Sequence, residues 1–457
     1  MVQFIHLRCV QYLSFYSNCV SPTYDKGASG KCQKERKGAV PSAASKGSKA
    51  ASAAGLVARR AAASGSAEPS CPVYGSVVIP SFAGCDKIFW KGGLVKRLTT
   101  RIWQVHPERP DPQRIAQAAE ILRRGGLVAF PTETVYGLGA NALDARAVQR
   151  IFAAKGRPSH DPLIVHVATA EDLQQVAREV SSLAEQLTRT FWPGPLTLVL
   201  PKASAIPDEV TSGRPTVAVR CPAHPVALAL IRAASVPIAA PSANRFGHTS
   251  PTTAQHVLDD LGGQIDLILD AGPTPVGVES TVLDLTQRPP VILRPGGLPK
   301  ETLEAHIGEV GLADGVTAPG PAPSPGMLPR HYAPNTPLWL FLGSRMWALH
   351  AMDGISRRWL TAGRKVGVLV SDKDREYWSN AAVTMESLGA EGDYTAMAQR
   401  LYSALRELDA AGLDLILTRD FGGEGLGLAI RDRLVRAAVR VIRPGEERSE
   451  ALLPDQT

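Results

Sequence analysis

Residues 127–139 read LVAFPTETVYGLG, an apolar run that passes directly into a cluster of hydroxyls. Residues 127–130 have the length and apolarity of a short buried strand, and Pro131 removes a backbone donor and stops regular pairing. Thr132, Glu133, Thr134 and Tyr136 follow, and the chain is expected to turn at Gly137 and Gly139. The carboxyl end of a strand is where α/β proteins hold ligands. An ordinary strand exit has the same pattern, so the remaining elements must decide.

They repeat an alternation of helix and strand. Asp111-Pro112 reads as an N-cap followed by Pro at the first helical position, with Ile115, Ala119 and Leu122 at helical spacing. Asp144 caps a second helix that carries Val148, Ile151, Phe152 and Lys155 on one face and stops at Gly156. In 163–168, alternation puts Leu163, Val165 and Val167 on one face and Ile164, His166 and Ala168 on the other. A helix is expected over 171–190, and a Pro/Gly turn then feeds the strand of FWPGPLTLVL. TVAVRCP sets Val217 and Val219 opposite Thr216, Ala218 and Arg220, and PIAAPSANRFGHTSPT is a strand running into a polar loop. IDLILDAG, STVLDL and VILRPGG complete the series. Several connections are too short for a helical crossover, so the sheet is expected to be mixed.

Residues 311–337 hold seven prolines and read as a linker, although Arg330, His331 and Tyr332 are unusual in a spacer. Beyond it, PLWLFL, KVGVLV and LDLILT read as strands, with Met397, Leu401, Leu405 and Leu408 on a helix between the last two. The expected organisation is an extension (1–100), a main α/β domain (101–310), the linker (311–337) and a smaller α/β domain (338–457).

Charge is divided unevenly. Residues 1–100 carry 14 Lys/Arg against 4 Asp/Glu, whereas the remainder is net −3, so the overall +7 belongs to the extension. That segment is rich in Ala, Ser, Gly and Lys and is expected to be disordered. Being acid-poor, Ser-rich and basic it could be a transit peptide, but an over-extended start or a dispensable tail is the favoured reading. The body shows no global field for nucleic acid. Five of six cysteines lie in the extension and only Cys221 in the body, with no CxxC pair, which fits a reducing cytoplasm and supports neither zinc nor a disulfide framework. No apolar run approaches the ~18 residues of a membrane helix.

Two constellations carry chemistry. Lys155, Arg157, Arg220 and Arg294 each end an element in a Pro- or Gly-containing context: KGRP, VRCP, LRPGG. Surface solvation explains any one of them; four in one body suit a polyphosphate, with Arg giving bidentate contacts. Thr132, Thr134, Ser242, Ser250 and Ser280, with Asn244, offer donors and acceptors to a small polar ligand, though turn chemistry also uses such residues. No GxxxxGK[ST], HExxH, GxSxG or Cys/His pairing occurs, and the GxGxxA match at Gly137–Ala142 lacks the helix start that a dinucleotide site needs. Positioning and charge neutralisation of a nucleotide are therefore expected in place of covalent catalysis.

PTETVYGLG, KGRPSHDPLIVHV, FWPGPLTLVL, RPTVAVRCPAHP, PIAAPSANRFGHTSPT, VESTVLDL, ILRPGG and SPGMLPRHYAP, in this order over residues 111–445, resemble the YrdC-like threonylcarbamoyl-AMP synthases, in their two-domain long form. The resemblance implies a twisted mixed sheet with a concave basic cavity and a smaller Rossmann-like α/β domain. It implies condensation of L-threonine, bicarbonate or CO2 and ATP to threonylcarbamoyl-AMP and pyrophosphate. A partner threonylcarbamoyl-transferase complex would then modify adenosine 37 of tRNAs reading codons that begin with A. Thr134, His166, Arg220, Ala240 and Ser280 match threonine positions. Arg157, Asp161, Thr216, Ser242, Ser250, Arg294 and Tyr332 match ATP positions. Lys155, Arg157 and Arg220 would carry catalysis, Mg2+ would accompany ATP with its ligands unknown, and the linker carrying Tyr332 would form a lid. Asp161 stands where the family commonly has Asn. A cytoplasmic protein with no membrane contact and weak tRNA binding is expected. Two alternatives stay open: a carbamoyl-transfer module of the hydrogenase-maturation type, whose acylphosphatase-like and zinc-finger regions are missing here, and a double-stranded-RNA-binding module, which the net −3 body does not favour.

Overall fold

The computed structural model describes residues 98–313, 330–379 and 381–446, all within one compact unit. Most of the expected disordered extension (residues 1–97) and the centre of the proline-rich segment (314–329) lie outside the described residues.

Eleven strands make the first sheet: β1 (Arg101–Gln104), β2 (Val128–Pro131), β3 (Tyr136–Asn141), β4 (Ile164–His166), β5 (Leu196–Pro201), β6 (Thr216–Arg220), β7 (Ile238–Ala239), β8 (Leu267–Asp270), β9 (Thr281–Asp284), β10 (Val291–Arg294) and β11 (Gly311–Leu312). Their order is β1-β8-β2-β3-β7-β4-β6-β5-β9-β10-β11, with parallel and antiparallel pairs intermixed as expected. Caps read from the sequence hold. Asp111 accepts from the Gln113 amide at the start of Pro112–Arg123, and Asp144 accepts from Arg146 and Ala147 at the start of Ala145–Lys155. Gly156 ends that second helix in the left-handed region.

Alternation along the strands builds separate cores. Leu138, Val165, Val217, Val219 and Leu198 pack on one face beneath Ala145–Lys155 and Ser182–Phe191, and Val128, Phe130, Ile238 and Leu267 pack beneath Pro112–Arg123 and Pro225–Ala234. Over β4, β6, β5, β9 and β10, the face opposite the first core holds a small cluster of Ile164, Ala218, Val199, Val282 and Leu293. Cross-strand register brings His166, Arg220, Thr197, Val282 and Arg294 into one row over this region.

Two local expectations are corrected. Gly137 and Gly139 do not turn the chain; both lie in β3, which pairs with β2 all the way to Pro131 opposite Tyr136. Gly139 is there for close packing, because a Cβ would come 2.8 Å from the Phe130 ring and 2.9 Å from Ile238. The expected 171–190 helix is two pieces, Leu173–Val176 and Ser182–Phe191. Between them the chain swings out to pair with the end of β5, through an Ala177–Lys202 bridge and an Arg178 N–H donated to the Pro201 carbonyl (2.9 Å), and Ser181 caps the new helix.

The second sheet comprises β12 (Leu338–Phe341), β13 (Val366–Val370), β14 (Thr384–Ser387), β15 (Leu415–Arg419) and β16 (Arg440–Ile442), ordered β14-β13-β15-β12-β16. Every pair is parallel, so the expected smaller α/β layer is found, but its order is not the 3-2-1-4-5-6 of a dinucleotide fold. Its Tyr394–Ala410 helix buries Met397, Leu401, Leu405 and Leu408 as expected and packs against loops of the first sheet. Gln399 donates to the Pro275 carbonyl (2.6 Å), and Arg406 to the Thr249 carbonyl (2.6 Å) and Asp260 (2.7 Å).

Gly277 lies in this seam at φ +83°, where a Cβ would stand 2.3 Å from the Ala398 carbonyl oxygen. Gly272 has a similar φ, +85°, with open space around it. Gly277→Ala is expected to lose about 1–3 kcal/mol more in urea unfolding than Gly272→Ala, the difference being the backbone clash alone.

Candidate functional site

His166, Arg220 and Arg294 of the row described above form one wall of a cavity, and the β2–β3 turn, Arg157, the loop after β7, Glu279 and Ser280 before β9, and residues 331–332 complete it. Of the residues singled out from the sequence, Thr134, Arg157, His166, Arg220, Ala240, Ser242, Ser280, Arg294 and Tyr332 line this single space. Lys155, Asp161, Thr216 and Ser250 do not line it.

Arg220 ends β6 and is 4% exposed. Its Nη1 donates to Thr134 Oγ1 (2.8 Å) and its Nε to the Gly194 carbonyl (3.2 Å), while Nη2 lies 2.7 Å from Glu133 as an ion pair without hydrogen-bond alignment. The Thr132 hydroxyl donates to the Val135 carbonyl (2.6 Å) and accepts from the Thr134 and Val135 amides, so it shapes the turn that presents Thr134. On the other side of the row, Arg294 donates to the Ser280 carbonyl (2.9 Å) and hydroxyl (3.2 Å), and that hydroxyl meets Thr197 Oγ1 at 2.8 Å.

Lys155 and Arg157 leave the end of their helix in different directions. Lys155 Nζ donates to the carbonyls of Ser242 (2.6 Å) and Asn244, so it braces the polar loop and does not face the cavity. Burial, with Arg157 close by, lowers its pKa well below that of an ordinary lysine. Arg157 faces the cavity and is held by the carbonyls of Asp161 (3.2 Å) and Pro162 (2.8 Å) and by the Asp161 carboxylate (2.9 Å). Asp161 is completely buried behind it; burial raises its pKa, against the pull of Arg157 and Lys155. Thr216 stands at the start of β6, opposite Pro201.

Sequence reasoning gave Glu279 no role. It lines the cavity, and its carboxylate accepts from Ser250 Oγ (2.5 Å), Tyr402 Oη (3.0 and 3.1 Å) and Arg433 Nε (2.7 Å). Burial works to raise its pKa, but Arg433, Arg294 and the Ser250 hydrogen bond hold it at about 2. The available signal was an acid directly before Ser280 in VEST, but its partners Tyr402 and Arg433 lie more than 100 residues away. Thr197 and His331, which also contribute to the site, were likewise unassigned. Tyr332 sits at φ +62° with its hydroxyl buried and without a hydrogen-bond partner, and its ring lies against the Arg433 guanidinium (4.9 Å).

Charge stabilisation is what this arrangement can supply. Three guanidinium groups line it, and Cys221, beside Arg220, is no nucleophile because burial pushes its thiol up to about 12. Among the described residues, no group of three or more His, Cys, Asp or Glu side chains could hold a metal ion.

Residues 120–296 match the Sua5_yciO_yrdC family model, described as Telomere recombination, and residues 298–439 match the model of the threonylcarbamoyl-AMP synthase C-terminal domain. The chain is 47% identical over 342 residues to the threonylcarbamoyl-AMP synthase of Pyrococcus abyssi, covering 74% of this chain and 97% of that protein. The chain belongs to the Sua5/YrdC family. The Bacillus subtilis member is 48% identical over 73% of this chain and 95% of its own length. The crystal structure of P. abyssi Sua5 complexed with L-threonine superposes with a TM-score of 0.71 at 47% identity, covering 75% of this chain and 99% of the other. Both family models match, so the chain has the two-domain form of Sua5.

His166 gives the site a pH signature. Burial, and then Arg220, pushes its pKa down to about 3 from 6.5, so between those values the unfolded chain binds a proton that the folded chain does not. Stability therefore rises with pH across this window, and His166 contributes up to ~1.4 kcal/mol per pH unit of slope. His166→Asn is expected to flatten the slope of unfolding free energy against pH between 4.5 and 6 by up to that amount, measured in urea titrations.

Proposed function

We propose that this protein is an L-threonylcarbamoyladenylate synthase, joining L-threonine, bicarbonate or CO2 and ATP into threonylcarbamoyl-AMP with release of pyrophosphate. The observation that carries the reading is the row that sets Arg220 and Arg294 on one sheet face, in a chain 47% identical to a threonylcarbamoyl-AMP synthase. Such a row offers one cation to a carboxylate and another to phosphate.

In this reading Arg220 takes the threonine carboxylate, and Thr134, His166 and Ser280 surround the amino acid beside Ala240. His166 remains a neutral imidazole, a hydrogen-bonding surface that adds no charge. The threonine amine adds to CO2, losing a proton and forming an N-carboxylate. A carbamate oxygen attacks the α-phosphorus, and the bond from that phosphorus to the bridging oxygen breaks as pyrophosphate leaves. Arg157 and Arg294 stabilise the charge on the departing group, Ser242 and Tyr332 border the nucleotide, and Lys155 acts through the loop it braces. Mg2+ enters on the phosphates of ATP. Asp161 is paired with Arg157, which answers the repulsion its charge would otherwise exert on phosphate. Residues 331–332 cover the cavity and keep water from the mixed anhydride.

The product would serve a tRNA threonylcarbamoyl-transferase complex acting on adenosine 37, in the cytoplasm, with weak tRNA binding by this chain. Among the described residues no helix is long and apolar enough to cross a membrane.

Pyrophosphate release by the full chain, with L-threonine, bicarbonate and Mg2+ omitted in turn, tests the reading. Release is expected to require all three. Arg220→Ala should raise KM for threonine by about 10- to 100-fold, as expected for loss of a charged hydrogen-bond partner, with KM for ATP changed much less. Threonine-independent release, or an RNA mobility shift without ATP turnover, would overturn it.

A further inference from the structure

Glu279 sets a problem for a cavity that takes ATP. Its carboxylate lines the space beside Arg294, and an uncompensated negative charge there would repel a polyphosphate with little screening by solvent. Besides Arg294 and Ser250, the compensation comes from helices of the second domain. Arg433, on the Leu426–Ala437 helix, is 1% exposed and places Nε 2.7 Å from Glu279 Oε2. The same guanidinium lies against the Tyr332 ring at 4.9 Å, and Tyr402 from the Tyr394–Ala410 helix donates across both carboxylate oxygens. Ser250 donates to the same carboxylate, so its hydroxyl proton is directed away from any ligand and its oxygen is left as an acceptor.

We propose that Arg433 is a positioning residue for nucleotide binding: held from behind by Asp432 (2.6 Å), which Arg436 also pairs, it reaches from the C-terminal domain to pair with Glu279 and fixes Glu279 and Tyr332 in the cavity wall. The proposal rests on the synthase reading for its ligand, ATP. It gives the second sheet a defined task, which is to make the nucleotide half of the cavity electrically acceptable to phosphate. Arg433 does not line the cavity, so it acts through Glu279 and Tyr332. Its removal should therefore impair nucleotide binding selectively, and removal of the Glu279 charge should undo the damage.

The test uses the full chain as wild type, Arg433→Met, Glu279→Gln and the double variant. Methionine keeps apolar packing under the Tyr332 ring. Pyrophosphate release is measured against ATP and threonine separately, and a non-reactive α,β-methylene ATP analogue is titrated by calorimetry. Arg433→Met should raise KM for ATP and the analogue Kd by about tenfold or more, the scale of a buried charge left without its partner, with KM for threonine within about twofold. The double variant should return both nucleotide constants to within about threefold of wild type, and Glu279→Gln alone should bind the analogue at least as tightly as wild type. Unchanged nucleotide constants in folded Arg433→Met, no recovery in the double variant, or a tenfold loss in Glu279→Gln would each overturn the proposal. Where Arg433→Met alone does not fold, the double variant and Glu279→Gln decide. If wild type turns over no threonine but binds the analogue, the synthase reading fails while the titrations still judge Arg433; if it binds no analogue, both fail.

Discussion

A buried cation must be given acceptors, and in this molecule the acceptors are main-chain carbonyls of the loops around the cavity. Lys155 takes those of Ser242 and Asn244, Arg157 those of Asp161 and Pro162, Arg220 that of Gly194 and Arg294 that of Ser280. All four side chains are under one-tenth exposed, so leaving their donors unmet would cost several kcal/mol each. Each cation therefore ties a loop with no regular pairing of its own to the end of a helix or strand. Loop shape and cavity charge are one feature. A substitution that removes a cation releases a loop as well as a charge.

This dependence explains how three of the four can still serve a ligand. A guanidinium has five N–H donors in a fixed fork, so Arg157, Arg220 and Arg294 can donate to a loop carbonyl and still border the cavity. An ammonium is a single point, and Lys155 directs its own at two carbonyls. The sequence pattern could not separate the two cases, because KGRP shows both cations at the same helix end and the direction of each depends on where the 242–244 loop lies.

What was legible follows period and capping. Helix starts at Asp111 and Asp144, the stop at Gly156 and the alternation of β4 and β6 all came from local chemistry, which set His166 and Arg220 each opposite an apolar face of its own strand; the pairing of β4 with β6 put them side by side. Register between strands distant in sequence was not legible, so Thr197 went unnamed although it stands opposite Arg220. Gly139 looked like a turn glycine because only the tertiary approach of Phe130 and Ile238 requires the missing side chain. The break between Leu173–Val176 and Ser182–Phe191 came from pairing with β5, which outweighs a helical period that continues through it. Glu279 was invisible for the same reason: its meaning lies in Tyr402 and Arg433.

The segment that carries Tyr332 shows why the second sheet must stay in contact with the first. The left-handed backbone of a tyrosine costs on the order of 1–3 kcal/mol and persists only where its surroundings over-determine it. Here they do so from both sides. The His331 amide donates to the Arg436 carbonyl (3.1 Å), Ala333 bridges to His248, and Asp409 holds the amides of Asn335 and Thr336 at 3.0 and 2.7 Å. Two of these anchors belong to the second domain and one to the loop that Lys155 braces. The Tyr332 hydroxyl is thus held, buried and without a protein partner, at the wall of a cavity where His166 Nδ1, His331 Nδ1 and Arg220 Nη2 are also buried without a hydrogen-bond partner. A strained tyrosine fixed from two domains keeps its hydroxyl at a defined place in the cavity wall. Its geometry is kept by the contact between the two sheets, so the second domain is part of the site.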